Sequence, residues 1–199
     1  FGADTMDATE EAMLTMRRGL PATGVTSFLP TTMTCPMEEI GQALAQVRKC
    51  MRHPGAGRGA EVLGAYMEGP FISPAHKGSQ AEANIRRADF GLVEPYKDVV
   101  KYLTLAPEEL GGDYSFVDKC RQAGIIVSLG HSGAIYEEAE EAFRKGVSHA
   151  THLFNAMSPL HHREPGAVGA VLEQDFVAEL IADDVPCHPA AKRLAWRLK

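Results

Sequence analysis

Three apolar runs in this chain each end on a side chain that can bind a metal ion. Tyr66-Met67-Glu68-Gly69-Pro70 closes the first, Val127-Ser128-Leu129-Gly130-His131-Ser132 the second, and His149-Ala150-Thr151-His152-Leu153-Phe154-Asn155 the third. A polar residue at the C-terminal end of a buried strand is where parallel α/β folds place their chemistry. One carboxylate and two neutral imidazoles make a half-open site for a divalent transition metal. That combination points to an enzyme.

Each residue also has a plainer reading. Glu68, with Gly69-Pro70 behind it, is presented outward and rigidly, but an exposed glutamate at a turn looks the same in sequence. His131 ends a buried run, where an imidazole is either a metal ligand or a core histidine bonded to a backbone carbonyl. His149 and His152 are three apart, so on one strand they face opposite sides of the sheet. His152 lies nearer the C-terminal end and is the better ligand; His149 is expected to pack against a helix or bond locally. Asn155, Ala156 and the loop His161-His162-Arg163-Glu164-Pro165-Gly166 follow directly. Arg163 could bind a phosphate or carboxylate bidentately, or pair with Glu164 on the surface. Lys77 reads as a solvated charge.

The elements that must carry these side chains alternate along the chain. Helical patterns span Ala8–Leu20, Pro36–Met51, Tyr114–Ala123, Tyr136–Lys145 and a stretch from Pro189 to Leu198. Strand-like runs occupy Thr26–Pro30, Glu61–Glu68, Val99–Ala106, Ile125–Gly130, His149–Phe154 and Phe176–Ala182. Residues 71–89 read as a long polar loop, a length usually kept for function. The Gly-rich stretch at 55–59 lacks the Lys-Ser/Thr of a phosphate-binding loop and reads as a plain loop. Repeated βα units imply a parallel sheet with right-handed crossovers, doubly wound or closed into a barrel. The spacing suits an α/β (β/α)₈ barrel, which takes about 250 residues. Six of eight strands are present, so the chain reads as one partial barrel domain from the middle of a longer protein.

Composition excludes other classes. The chain has 199 residues, 45% hydrophobic and 23% charged, enough to bury a core. A net charge of −6 argues against nucleic-acid partners, which need a basic stripe. No run of about 18 apolar residues could span a membrane. Phe1-Gly2-Ala3-Asp4 has no signal-peptide character, and Cys35, Cys50, Cys120 and Cys187 form no CxxC pair. Reduced thiols in a cytoplasmic protein fit best.

Together with Leu105-Ala106-Pro107-Glu108 and Arg163-Glu164-Pro165-Gly166, the three runs resemble the N-acetylglucosamine-6-phosphate deacetylase family of the amidohydrolase superfamily. The resemblance implies a (β/α)₈ barrel beside a small β domain built from both termini of the family chain, which residues 1–199 lack. It implies that Glu68, His131 and His152 bind a divalent metal, usually zinc. It also implies that Ser79, Asn155 and Ala156 line the substrate site, and that Arg163 contacts the sugar phosphate from a neighbouring subunit of a homodimer. The activity implied is metal-dependent hydrolysis of the acetamide of N-acetylglucosamine 6-phosphate, and the expected catalytic Asp lies beyond residue 199. Residues 1–199 alone are therefore expected to be inactive, with Asp183 as the fallback base. Where the family has Gly and a substrate-binding His, this chain has Asp184 and Pro186. Gln80 stands where members carry His or Gln.

Overall fold

The computed structural model describes residues 2–52 and 59–199. The Gly-rich loop at 55–59 therefore falls outside the described residues, except for Gly59. Among them no helix is long and apolar enough to cross a membrane.

Helix α1 (Glu10–Gly19) starts where the Thr9 hydroxyl accepts from the Ala12 N–H at 3.2 Å. Helix α2 (Met37–Arg52) follows Pro36 and buries Ile40, Leu44, Val47 and Cys50 on one stripe. The expected strand at 26–30 resolves into β1 (Ser27–Phe28) and β2 (Thr31–Thr32), and the one at 61–68 into β3 (Glu61–Val62) and β4 (Ala65–Glu68). Both divisions have a cause. Pro30 has no N–H to give a ladder. A Cβ at Gly64 would meet the Lys101 side chain and the Val99 carbonyl, so the backbone passes too close for the pattern to continue. Strands β1 and β3 pair in a small parallel sheet beside the main one.

The remaining strands are β5 (Val100–Leu105), β6 (Ile126–Leu129), β7 (His149–Ala150) and β8 (Val177–Ala178). With β2 and β4 they form one six-stranded parallel sheet in the order β2-β4-β5-β6-β7-β8. Each new strand joins the edge made by the last. A doubly wound sheet reverses its order at a switch point; this one never does, which is the winding of a barrel. Helices α3 (Ser115–Gln122), α4 (Tyr136–Arg144) and α5 (Gly166–Glu173) fill the crossovers after β5, β6 and β7, and α6 (Pro189–Leu198) follows β8. The crossover from β4 to β5 has no α-helix. It runs through 3-10 turns at Pro74–His76, Glu82–Asn84, Phe90–Leu92 and Glu94–Tyr96.

Strand register sorts the side chains into two faces. Met67, Leu103 and Val127 are paired neighbours, as are Leu105, Leu129 and Ala150; all are fully buried in the core shared with the helices. The opposite, concave face carries Tyr66, Tyr102, Glu68, Thr104 and Ser128. It is polar where barrels usually stack branched aliphatics. Tyr66, Thr104, Ser128 and Thr151 share hydroxyl hydrogen bonds of 2.7–2.9 Å there.

Helix α5 escaped the sequence reading. Gly166-Ala167-Val168-Gly169-Ala170-Val171 is buried on all sides, so it has no apolar–polar period to detect. Its start is secured from a distance. The Ser158 hydroxyl accepts from the Ala167 N–H at 2.7 Å, and the Ser158 carbonyl from the Val168 N–H at 3.3 Å.

Candidate metal centre

Glu68 ends β4, His131 lies two residues beyond β6, and His152 two residues beyond β7. The sheet brings all three to one end of its concave face. His131 Nε2 is 3.0 Å from Glu68 Oε1 and 3.1 Å from His152 Nε2, and His152 Nε2 is 3.6 Å from Glu68 Oε1. Among the described residues this is the group of His, Cys, Asp and Glu side chains arranged to hold a metal ion.

Proton placement makes the triangle unfavourable for bare side chains. The Nδ1 of His131 faces the His76 carbonyl at 3.0 Å, so it donates and leaves Nε2 as a lone pair. That lone pair points at a carboxylate oxygen. A single proton on His152 Nε2 can serve one neighbour only, leaving one acceptor facing another. A cation at the centre satisfies all three. The separations also suit one: ligands held ~2.0–2.1 Å from a tetrahedral ion sit about 3.3 Å apart. The residues fit the group.

Burial would raise the pKa of Glu68, but without a metal ion the two imidazoles, when they carry protons on Nε2, overcome it and hold the carboxyl down at about 2. Burial works the other way on His152, where contact with Glu68 leaves the imidazole above its usual value. Gln80 completes the surround. Its Nε2 donates to Glu68 Oε1 at 3.1 Å, and its Oε1 accepts from the Thr34 N–H at 2.6 Å, which fixes the amide the right way round.

The backbone at the site is strained. His131 (φ 50°), His152 (φ 35°), Phe154 (φ 81°) and Ala156 (φ 50°) all sit in the left-handed region. Such residues cost on the order of 1–3 kcal/mol each and persist only where the surroundings hold them. The predicted strand at 149–154 therefore stops after Ala150, and His152 reaches the site through a turn. This corrects the alternation argument. His149, paired with Ser128, lies on the concave face with its ring against Tyr102 (centroids 5.2 Å apart) and not on the helix-covered side; its expected local bond, between Nδ1 and Ser148 Oγ at 3.0 Å, is present.

The other expected site residues are placed less centrally. Asn155 is half-buried and its Nδ2 donates to the carbonyls of His152 and Leu153 at 3.2 and 3.3 Å. The Ala156 carbonyl accepts from the Ser132 N–H at 3.0 Å. Ser79 and Arg163 are exposed, and Arg163 forms no ion pair with Glu164 among the described residues. Asp183 is exposed and its carboxylate caps the Val185 N–H at 2.9 Å, so it does not face the centre. Asp184 has φ 67°, which explains why glycine suits that position. Lys192 binds its carboxylate.

Two residues on this face escaped the sequence reading. Tyr66 donates to Glu179 Oε1 at 3.0 Å, just past β8. Burial pushes the Glu179 carboxyl up to about 7, against the opposing pull of the Tyr66 bond. An acidic residue inside the apolar run Phe176–Ala182 was the available signal.

A sequentially wound parallel sheet with a carboxylate and two imidazoles converging beyond its strand ends is the arrangement of a metal-dependent barrel hydrolase. The amidohydrolase family profile matches residues 3–199, and the chain belongs to that family, which implies a divalent metal. It is 42% identical over its whole length to an N-acetylglucosamine-6-phosphate deacetylase from Bacillus subtilis, covering 52% of that protein. It is 36% identical over 97% of its length to an N-acetylgalactosamine-6-phosphate deacetylase from Escherichia coli O157:H7, covering 52% of it. The solved structure of N-acetylglucosamine-6-phosphate deacetylase from Thermotoga maritima superposes with a TM-score of 0.88 at 34% identity, over all of this chain and 53% of that one. The chain thus spans about half the length of the curated relatives it matches.

Proposed function

We propose that the protein carrying this chain hydrolyses the acetamide of N-acetylglucosamine 6-phosphate to glucosamine 6-phosphate and acetate. Glu68, His131 and His152 hold its catalytic metal, and the mixed nitrogen and oxygen set favours zinc. The observation that carries this reading is the 3.0–3.6 Å triangle of ligand atoms in a chain with deacetylase relatives. A divalent ion held there polarises a carbonyl and lowers the pKa of water. The chain's own residues supply the rest. Gln80 orients Glu68, Asn155 and Ala156 shape the rim beside His152, and Ser79 reaches the substrate from the loop after β4. The exposed Arg163 grips the phosphate of a substrate bound by the neighbouring subunit of a homodimer. The proton-transferring carboxylate is an Asp outside residues 1–199. Four cysteines without a disulfide support a cytoplasmic setting.

Acetate release from the 6-phosphates of N-acetylglucosamine and N-acetylgalactosamine, assayed with the intact gene product, tests the reading. Release from the gluco substrate, abolished by chelation or His131→Asn, is expected. No release from either sugar phosphate would overturn it. Pro186, which replaces an imidazole, favours a second reading, sugar-phosphate binding without turnover. Binding of the 6-phosphate with no acetate released is the result that reading requires.

A further inference from the structure

Glu108 is the last residue of the Leu105-Ala106-Pro107-Glu108 motif, in the 3-10 turn Pro107–Leu110 that follows β5. It lies in a loop at the same end of the sheet, yet it is not one of the three side chains of the metal triangle. Oε2 accepts from the Ser132 hydroxyl at 2.6 Å and Oε1 accepts from the Gly133 N–H at 2.5 Å. These are the two residues directly after His131. No cation pairs with Glu108 among the described residues, so a half-buried charge is spent on a hydroxyl and an amide. A neutral Ser or Asn would cap an ordinary turn with less desolvation.

The turn is not ordinary. His131 is left-handed (φ 50°), and such a backbone persists only where its surroundings over-determine it. On one side the Ser73 N–H donates to the His131 carbonyl at 3.0 Å. On the other is Glu108. Ser132 then bridges to the segment after His152: its N–H donates to the Ala156 carbonyl at 3.0 Å, and its carbonyl accepts from the Ser158 N–H at 3.1 Å. The Ser158 hydroxyl donates to the Ala134 carbonyl at 2.5 Å. One carboxylate therefore anchors the point where the two histidine turns are joined.

We propose that Glu108 is a positioning residue for the metal centre, fixing the His131 turn and, through the Ser132–Met157 bridge, its spacing from His152. The inference rests on the metal reading of Glu68, His131 and His152. It predicts that Glu108 acts on metal affinity and ligand geometry and not merely on fold stability. Partners of this kind, one bond removed from the ligand, change metal affinity by about 10- to 100-fold.

The test is titration of the metal-free intact gene product with Co²⁺, followed by its visible absorption, for wild type, Glu108→Gln and Glu108→Ala. Thermal midpoints of the metal-free proteins are measured alongside. Leu44→Ala, in α2 away from the site, is the control for general destabilisation. Glu108→Ala is expected to weaken Co²⁺ binding about 10- to 100-fold and to shift the absorption bands. Glu108→Gln keeps an oxygen for the Gly133 N–H, so it should lose less, and it decides the matter if the alanine variant does not fold. Unchanged affinity and spectrum in the Glu108 variants, or a loss no larger than in Leu44→Ala, would reduce Glu108 to a turn cap. An intact wild-type protein that binds no Co²⁺ would instead sink the metal reading, and the proposal with it.

Discussion

The hydroxyl of Tyr66 and the carboxyl of Glu179, 113 residues apart, are hydrogen-bonded at 3.0 Å across the concave face of the sheet. The bond spans from β4 to the end of β8 and reaches back through Thr151 toward Ser128 and Thr104. It puts a second carboxylate on the same face as Glu68. The two have opposite electrostatic fates: Glu68 is held down at about 2, Glu179 is raised to about 7.

The stability of the metal-free chain should therefore fall as pH rises from 4.5 to about 7 on account of Glu179. In that window the unfolded glutamate has lost its proton and the folded one still holds it, so the folded state binds more protons and stability declines with pH. Glu179→Gln removes the effect. Urea unfolding with a chelator present should show the variant gaining about 2–3 kcal/mol over wild type at pH 8 and little at pH 5. A gain that does not change with pH would mean the carboxyl is not perturbed.

Metal should stabilise the fold by mass action. Zinc at 100 times its dissociation constant adds about 2.7 kcal/mol to a state that alone binds it, and EDTA reverses the gain. In His131→Asn and Glu68→Gln the thermal midpoint should no longer respond to zinc. A full response in either variant would place the ion elsewhere.

Gln80→Leu should do two kinds of damage. The buried Thr34 N–H loses its acceptor, costing about 1–3 kcal/mol in the metal-free protein. Glu68 loses the amide that orients it, and zinc affinity should drop about tenfold. Equilibrium unfolding and calorimetric zinc titration measure the two separately; an affinity equal to wild type would show that Glu68 needs no such support.

Gly130→Ala probes the approach to His131. The added Cβ would come within 2.8 Å of both Thr104 Cγ2 and Thr151 Cβ. Such overpacking costs about 1–3 kcal/mol. Because the displaced atoms lie under the metal triangle, zinc binding should weaken with stability. Chemical denaturation that finds the variant as stable as wild type would show that the strands can part at no cost.

Much of this was legible in the residues. Strand-like runs ending in Glu68, His131 and His152, spaced by helical patterns, led to the parallel barrel winding and to the three side chains that converge. Legibility failed where non-local contacts override local pattern. The early breaks in the strands at Gly64 and Ala150 depend on neighbouring chain and on left-handed turns. Helix α5 has no period because every side of it is covered. Gln80 and Glu108 show their partners only in three dimensions, since Thr34 and Ser132 lie 46 and 24 residues away.

The sequential winding of the sheet has a kinetic side. Glu68 and His131 meet at a sequence separation of 63, and each ligand comes from a different βα unit. His131 and His152 are 21 residues apart on neighbouring strands, so Glu68 is the ligand that must come from afar. Loop closure over such distances makes parallel pairing slow. The complete three-ligand site therefore exists only after β4 has docked beside the β6–β7 unit that carries the two histidines. Uptake of a divalent metal at full affinity should lag the recovery of helical signal during refolding, which makes the metal a reporter of the last step of assembly.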